Sequence, residues 1–394
     1  MGGPRKGTAK RAEQLLIEAL PEAGEGAALC TSLGRGQLGR ALATRGWKPV
    51  DCWFLDLAQR QASLAGRTPI DGLQLVCSSD LPPGPVGCAA LPLSHQGDGE
   101  LTRDLIQQGL LALEPGGTLW LATDNPQDRW LRDLLKKLPL KVSPTPSPSG
   151  VVYRVRLTGP LKRVRDYDAE FAFRFGERLL HVRSRPGVFA HRRVDPGARA
   201  LLETLPDVVG PRVLEVGCGL GAVALGVASL EAAPTVVALD SNARAVECAR
   251  ANAAKNELTK VTVVHATAEG YQPDAPFDLV LANPPYYSKG QIAAAFVDLA
   301  ARALRPGGLL HLVTKRPSDY EDIYERGFDD VEVEEVRGYR VLFARRGPDP
   351  VPGPRPRAAE AESEADAESE SEAESESESE AEAESESEAE AENG

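Results

Sequence analysis

The sequence predicts an α/β protein made of two copies of one parallel-sheet unit, followed by an acidic tail without a core. Three observations carry this expectation. Strand-length apolar runs alternate with helical periodicity over 30–150 and again over 206–346, the pattern of a parallel sheet with crossover helices. Each half has a glycine-rich loop, Gly34/Gly36/Gly39 in the first and Gly217/Gly219/Gly221 in the second. Each loop is followed, at a similar distance, by a near-repeat: ALEPGGTLWLAT from Ala112 to Thr123, and ALRPGGLLHLVT from Ala303 to Thr314. Self-similarity of this kind signals duplication of a structural unit.

In the first half, residues 1–12 are basic and rich in Gly and Ala, and the sequence predicts a frayed end. Arg11 to Leu20 has helical periodicity, with Leu15, Leu16, Ala19 and Leu20 on one face. Ala27 to Leu33, Cys52 to Leu57 and Gly72 to Cys77 are strand candidates. Leu110 to Asp124 reads as a helix end, a Pro-Gly-Gly turn and a strand. Pro139 to Gly150 is a linker or a Pro-rich loop, and Val151 to Leu157 alternates as a closing strand. A boundary is expected at about 158, giving domains of 1–157 and 158–347 and a Pro-rich, then Glu/Ser/Ala-rich tail of 348–394.

The second half opens on a basic segment. Residues 154–199 hold 12 Lys/Arg and 5 Asp/Glu, with Phe171, Phe173, Phe175 and Phe189 interleaved. Period-two phenylalanines suit a hairpin with its aromatics in a core; the charges suit an approach surface for nucleic acid. Strands are expected at Arg212–Val216, Thr235–Leu239, Val261–Val264, Leu279–Ala282, Leu309–Thr314 and Arg340–Ala344. Helices are expected at Gly221–Leu230 and Ala243–Ala254.

Composition bounds the function classes. The formal net charge is −13, but 17 acidic residues and no basic ones lie in 358–394, so 1–357 carries 45 basic against 41 acidic residues, a net of +4. The body is mildly basic, and a polyanionic partner fits it. The tail lacks core-forming residues, and its composition predicts disorder. It serves as a solubilising segment or as an internal polyanion that competes with RNA. No apolar run reaches 18 residues, so no membrane partner is expected, and the N-terminus lacks the apolar core of a signal peptide. Six cysteines without CxxC spacing and five dispersed histidines predict a cytoplasmic chain with reduced thiols and no metal.

The chemistry concentrates in three places. Val213 to Gly221, VLEVGCGLG, follows a strand and opens a helix; its glycines permit a tight turn and close approach of a ligand. Asp240 ends a strand 19 residues beyond Gly221, where a carboxylate can accept from both ribose hydroxyls. Phe277 to Tyr287, FDLVLANPPYY, ends an apolar strand on Asn283-Pro284-Pro285-Tyr286. The prolines stop the strand and hold Asn283 extended, at the sheet edge where open α/β sheets bind ligands. An amide beside an aromatic ring suits a flat nitrogenous substrate. Alone, the NPP stretch is equally a surface turn; the ordered combination is specific.

These residues resemble motifs of class I S-adenosylmethionine-dependent methyltransferases. G-x-G-x-G after an acid resembles their motif I rather than the dinucleotide-binding G-x-G-x-x-G. Asp240 resembles their motif II acid, and Asn283-Pro284-Pro285-Tyr286 the motif IV of the amino-methylating members. The fold implied is two Rossmann-like methyltransferase domains in tandem, of which the first, lacking an acid before its glycines and showing only Ala90-Leu91-Pro92-Leu93 where the motif is due, is degenerate. The resemblance implies that Glu215, Gly217, Cys218, Gly219, Gly221, Asp240, Ser241 and Thr267 bind S-adenosylmethionine with Asn283. It makes Asn283, Pro284, Pro285 and Tyr286 the catalytic residues.

Upstream, Ser184-Arg185-Pro186-Gly187-Val188-Phe189-Ala190 with Asp195, Gly197, Ala198 and Leu201-Leu202 resembles the segment preceding motif I in two types of ribosomal RNA guanine-N2 methyltransferase, type C of the small subunit and type G of the large. Those enzymes also carry a degenerate N-terminal domain. The resemblance implies methylation of guanine N2 in ribosomal RNA, 16S before 23S, by a cytoplasmic monomer whose partner is ribosomal RNA or a ribosomal subunit. Phe189, Tyr286, Arg185 and Arg192 are then the substrate-binding residues. His191 is a structural neighbour or a part of this surface. The alternatives are N-methylation of a protein glutamine or of adenine N6, and a non-catalytic RNA-binding or assembly factor of the same fold.

Overall fold

The computed structural model describes residues 9–138, 140–156, 161, 163–285 and 291–349. The acidic tail, for which disorder is expected, and the basic N-terminal extremity lie outside them. The described residues form two compact units, the first within Met1–Ala169, Ser184–His191 and Ser241–Glu247, the second within Glu170–Arg183, Arg192–Asp240 and Cys248–Gly394.

In the first unit, α1 (Arg11–Ala19) precedes β1 (Ala28–Thr31), α2 (Gln37–Thr44), β2 (Val50–Phe54), α3 (Leu57–Leu64), β3 (Leu73–Cys77), β4 (Val86–Leu93), α4 (Gly99–Ala112), β5 (Leu113–Thr123), α5 (Trp130–Lys136), β6 (Lys141–Ser147) and β7 (Gly150–Arg156). The sheet order is β3-β2-β1-β4-β5-β7-β6. The first five strands pair in parallel, and β7 and β6 are antiparallel. Two apolar clusters cover the sheet. One is built on Leu91, Leu119 and Leu121 with Ile106 and Leu110 of α4; the other on Cys30, Val50 and Cys52 with Leu16 of α1 and Leu38 and Leu42 of α2.

The segment 139–150, expected as a linker or loop, instead contributes β6. Pro144 and Pro146 sit opposite Tyr153 and Val151. Proline lacks a ladder donor, so it is confined to sheet edges. A spacing of two puts both nitrogens on the same side of the strand, and β6 is an edge strand. A second difference concerns the Pro-Gly-Gly turn. It is absorbed into β5, where Val86 pairs with Leu113 and Cys88 with Thr118, so five residues of β5 advance against two of β4. Gly116, with φ +88°, makes that bend.

The chain continues through the hairpin of β8 (Ala169–Phe175) and β9 (Arg178–Ser184), then α6 (Pro196–Glu203), β10 (Arg212–Val216), α7 (Ala222–Ala228), β11 (Thr235–Asp240), α8 (Ala243–Lys255), β12 (Val261–His265), β13 (Phe277–Ala282), α9 (Gln291–Ala303), β14 (Leu304–Thr314), a 3-10 segment (Pro317–Arg326), β15 (Phe328–Val336) and β16 (Tyr339–Arg346). These make up the second unit except for Ala169, Ser184 and the start of α8 at 243–247, which fall in the first. The sheet order is β12-β11-β10-β13-β14-β16-β15, the same as in the first unit. The bend recurs between β13 and β14, with Gly307 at φ +76°. Leu214, Leu239, Val280, Leu310 and Leu312 pack under Val297 and Ala300 of α9. In the hairpin Phe173 is buried and Phe171 and Phe175 are half-buried, which is the core arrangement of the aromatics.

Matching strand registers align the two sheets residue by residue. Ala28 pairs with Cys88 as Val213 pairs with Leu279. Continuing along each strand, Cys30 takes the place of Glu215, Phe54 that of Asp240, and Pro92 that of Asn283. The first-half counterpart of the NPPY motif is therefore Pro92-Leu93-Ser94-His95, two residues beyond the Ala90–Leu93 expected. The strand pairing fixes this offset, and the near-repeat agrees with it, since Ala112 and Ala303 are 191 residues apart, as are Pro92 and Asn283.

Candidate active site

The strand order reverses beside β10, whose two neighbours are β11 and β13. Ligands of doubly wound sheets bind at the strands' carboxyl ends at such a point. Three sequence-predicted features meet this edge: the loop after β10, Asp240 at the end of β11 and Asn283 after β13.

The loop is pinned to β11 by its own backbone. The Gly217 and Cys218 amides donate to the Leu239 carbonyl at 2.8 and 3.0 Å, and the Gly219 amide donates to Asp240 Oδ2 at 2.8 Å. Gly217 has φ +74°, and a Cβ there would stand 2.9 Å from the Phe296 ring. Gly221, at φ +87°, starts α7 in the left-handed region, which only glycine adopts without strain. Glu215 turns beneath the loop to the helix start, where Ala224 N donates to Oε2 at 2.8 Å. It is 5% exposed. Burial, reinforced by the negative charge of Asp240, pushes its carboxyl up to about 8 against the opposing pull of the Ala224 bond. Burial first, then Asp240 and Glu215, also push the Cys218 thiol up, so it lines the loop as a neutral group.

The next loop packs behind Asp240, whose carbonyl accepts from Ala266 N at 3.1 Å. Thr267 is buried, and its hydroxyl accepts from Gly270 N at 3.1 Å, closing a turn. Asn252 of α8, fully buried, donates to the carbonyls of Leu220 and Arg183 at 2.9 Å each and accepts from Arg183 N at 2.7 Å. It ties β9 to the glycine loop. Ser241 belongs to the first unit, where its hydroxyl donates to Asp56 Oδ2 at 2.6 Å.

At the end of β13, Asn283 Nδ2 donates to Asp195 Oδ2 at 2.7 Å. Asp195 caps α6 by accepting from Ala198 N at 3.1 Å. Pro284 is buried and Pro285 half-buried; Tyr286 lies outside the described residues. The Asn283–Asp195 bond spans 88 residues of chain. Asp195-Pro196 signals a helix start in sequence, but nothing there names Asn283 as its partner.

The substrate-binding expectations divide. Phe189 is 58% exposed and Arg192 is exposed, with φ +76°. Arg185 is 8% exposed and is held within the first unit by Asp80 at 2.5 Å, Glu247 at 2.9 Å and Asp168 at 3.6 Å. Those carboxylates commit its charge inside the fold, so it does not present a guanidinium to phosphate. His191 hydrogen-bonds Ser184 through Nδ1 at 2.8 Å. Among the described residues no cluster of His, Cys, Asp and Glu is arranged to hold a metal ion, and no helix is long and apolar enough to cross a membrane.

Fold and site define a Rossmann-like chain of the methyltransferase type. The family model "Methyltransferase small domain" matches residues 179–343. The uncharacterized protein YbxB of Bacillus subtilis is 32% identical over 184 residues, 45% of this chain and 90% of that protein. The chain belongs to the methyltransferase small domain family, and it is similar to the ribosomal RNA small subunit methyltransferase C and large subunit methyltransferase G. The ribosomal RNA small subunit methyltransferase C of Shewanella piezotolerans is 27% identical over 231 residues, 56% of this chain and 66% of the relative. The large subunit methyltransferase G of Shewanella amazonensis is 35% identical over 159 residues, 39% and 42% of the two chains. The chain thus spans less than two thirds of these two curated enzymes. Among solved structures, that of the T. thermophilus 16S rRNA N2 G1207 methyltransferase in complex with AdoMet and guanosine superposes with a TM-score of 0.73 at 25% identity, covering 87% of this chain and 94% of that one.

Proposed function

We propose that the chain is an S-adenosylmethionine-dependent methyltransferase acting on the exocyclic N2 of a guanine in ribosomal RNA, the small subunit's before the large subunit's. The observation that carries this is the juxtaposition at one switch point of a glycine loop, two strand-end acids and Asn283 held at the end of β13. The names of the relatives, ribosomal RNA methyltransferases and among them a 16S rRNA N2 G1207 enzyme, point to the same substrate.

The residues present fit the cofactor. Glu215 supplies a buried carboxyl beneath the loop, whose Oε2 holds the start of α7 through Ala224 N and which would ionise on facing the cationic methionine end. Gly219 leaves open space where a side chain would stand. Asp240, at the end of β11, would accept from the ribose hydroxyls, and the 265–268 turn with Thr267 would hold the base. Cys218 lines the loop, Ser241 follows the acid, and Gly217 and Gly221 shape the turn. When bound, S-adenosylmethionine supplies the sulfonium methyl and keeps the S–C bonding pair. The Asn283 side-chain oxygen and the Pro284 carbonyl accept the two N–H bonds of the substrate amine. They draw its lone pair out of conjugation and aim it in line. One amine proton leaves to water, and no dedicated base is required. Pro285 rigidifies the chain after Asn283, and Tyr286, outside the described residues, is assigned to the substrate plane by its aromatic ring alone. A guanine in folded RNA must be unstacked to reach this edge; Phe189 and Arg192 are the approach residues.

The domains are assigned as 1–157, 158–347 and 348–394, with the first a degenerate, non-catalytic copy. Cys30, Phe54 and Pro92 stand at the three polar site positions. Its loop is also filled from within: Glu13 of α1, fully buried, accepts from Leu38 N at 2.9 Å and from the Ser32 hydroxyl at 3.1 Å. The enzyme works as a cytoplasmic monomer.

The test is methyl transfer from labelled cofactor to 30S particles, 50S particles and naked ribosomal RNA, with nucleoside mass spectrometry. N2-methylguanosine is expected, and Asn283→Ala should lower turnover roughly hundredfold or more while cofactor affinity, to which Asn283 adds one contact among several, stays nearly intact. Methylated adenosine, or label only in protein, overturns the substrate assignment. Absence of cofactor binding in calorimetry overturns the enzyme and favours the assembly-factor alternative.

A further inference from the structure

We infer that Asp195 is a positioning residue of the methyl-transfer reaction: it fixes the Asn283 side-chain amide so that its oxygen, not its nitrogen, serves the substrate amine. This rests on the methyltransferase function proposed above.

An asparagine amide has a donor end and an acceptor end of nearly the same shape. A substrate amine presents N–H donors, so only the oxygen end binds it productively; a flipped amide sets donor against donor. Rotation of the side chain is therefore a failure mode that the protein must suppress. Asp195 suppresses it because an ionised carboxylate only accepts. With Asp195 Oδ2 at 2.7 Å from one end of the Asn283 amide, that end has to be Nδ2.

Asp195 is itself immobilised. The same Oδ2 accepts from Ala198 N at 3.1 Å, and the Asp195 carbonyl accepts from Arg199 N at 3.1 Å. Pro196 sets the first helical position of α6. Gly197 allows the close approach: a Cβ there would lie 2.8 Å from Asp195 Oδ2, 2.9 Å from Asn283 Oδ1 and 3.0 Å from Asn283 Nδ2. The first turn of α6 thus abuts the amide, and its glycine leaves room for nothing else. A carboxylate behind the nitrogen also polarises the amide and makes its oxygen a stronger acceptor. That gain matters most as the amine nitrogen becomes positive on accepting the methyl group.

Two substitutions separate positioning from capping. Serine is a good N-cap but too short to reach Asn283, whereas asparagine keeps the length and one acceptor oxygen. In Asp195→Ser, kcat for methyl transfer to the ribosomal RNA substrate should fall roughly ten- to hundredfold, the range for losing a charge-assisted bond. KM, cofactor Kd and thermal midpoint should stay at wild-type values. Asp195→Asn should recover most of the lost rate. The Asn283 side-chain amide signals in nitrogen–proton NMR spectra, assigned by their absence in Asn283→Ala, should move in Asp195→Ser and return toward wild type in Asp195→Asn. A wild-type kcat in Asp195→Ser, or unmoved amide signals, overturns the inference. So does a rate loss that follows a lowered midpoint and is not restored by asparagine, since that is the behaviour of a helix cap. If wild-type protein forms no N2-methylguanosine, the proposed function fails instead, and the amide signals still decide the contact.

Discussion

Replacing Glu215 by glutamine tests how the glycine loop is built. Its carboxyl is buried beneath the loop and pushed up to about 8, from an ordinary value of 4.5. A group whose folded pKa is raised stabilises the fold below its unfolded pKa and loses that contribution as pH rises through the folded value. Between about pH 5 and about pH 8 the unfolded carboxyl is ionised while the folded one keeps its proton. Each pH unit there removes about 1.4 kcal/mol, and the window as a whole costs on the order of 3 kcal/mol. Glu215→Gln keeps an acceptor oxygen for Ala224 N and has nothing to ionise. The stability difference, variant minus wild type, should therefore climb by about that amount across the window. Other titrations, including that of His311, largely cancel in the difference. Tryptophan emission is the wrong probe, because Trp47, Trp53, Trp120 and Trp130 all lie in the first half of the chain. Amide hydrogen exchange of α7 and β10, corrected for intrinsic rates, reports on the right elements. A difference that stays flat from about pH 5 to about pH 8 refutes the burial argument.

Two further outcomes follow from side chains outside the loop. Arg185→Ala removes the charge that Asp80, Glu247 and Asp168 face, although Asp80 keeps Gln108 at 2.9 Å and Arg244 at 3.5 Å; it should cost up to roughly 3 kcal/mol in thermal unfolding and leave the salt dependence of RNA binding unchanged, whereas a shallower salt slope at wild-type stability would return Arg185 to the substrate surface. His311 is 4% exposed, meets the Phe343 ring edge-on at 4.7 Å, and is pushed down to about 4 by burial. Its contribution is present above about 6.5 and lost as pH falls toward about 4, so His311→Phe should flatten the acid limb of the stability curve measured by urea denaturation; an unchanged limb removes His311 as its cause.

Much of the site was legible because its residues are constrained locally. Asn283 is fixed in sequence by the prolines behind it, Gly221 by the helix it starts, and Asp240 by the strand it ends. Pro144 and Pro146 misled for the same reason. Proline reads locally as a breaker, and only the position of β6 at a sheet edge makes it tolerable. Arg185 misled in the opposite way: a basic residue in a basic stretch reads as surface, while its three acidic partners are supplied from 80, 168 and 247 by the fold. Glu13 left no signal at all, since it serves the first glycine loop from a different helix.

By itself the sequence determined the alternation of strands and helices, the near-repeat of ALEPGGTLWLAT and ALRPGGLLHLVT, and the order of glycine loop, acid and NPP. Each is set by periodicity, backbone restriction or side-chain type within a few neighbouring residues. Only the tertiary structure decided the strand register that gives Cys30, Phe54 and Pro92 the positions held in the second sheet by Glu215, Asp240 and Asn283, the burial that pushes the Glu215 carboxyl up, and the pairing of Asp195 with Asn283. These depend on distances between segments far apart in the chain, which the pairing of strands sets and no local pattern encodes.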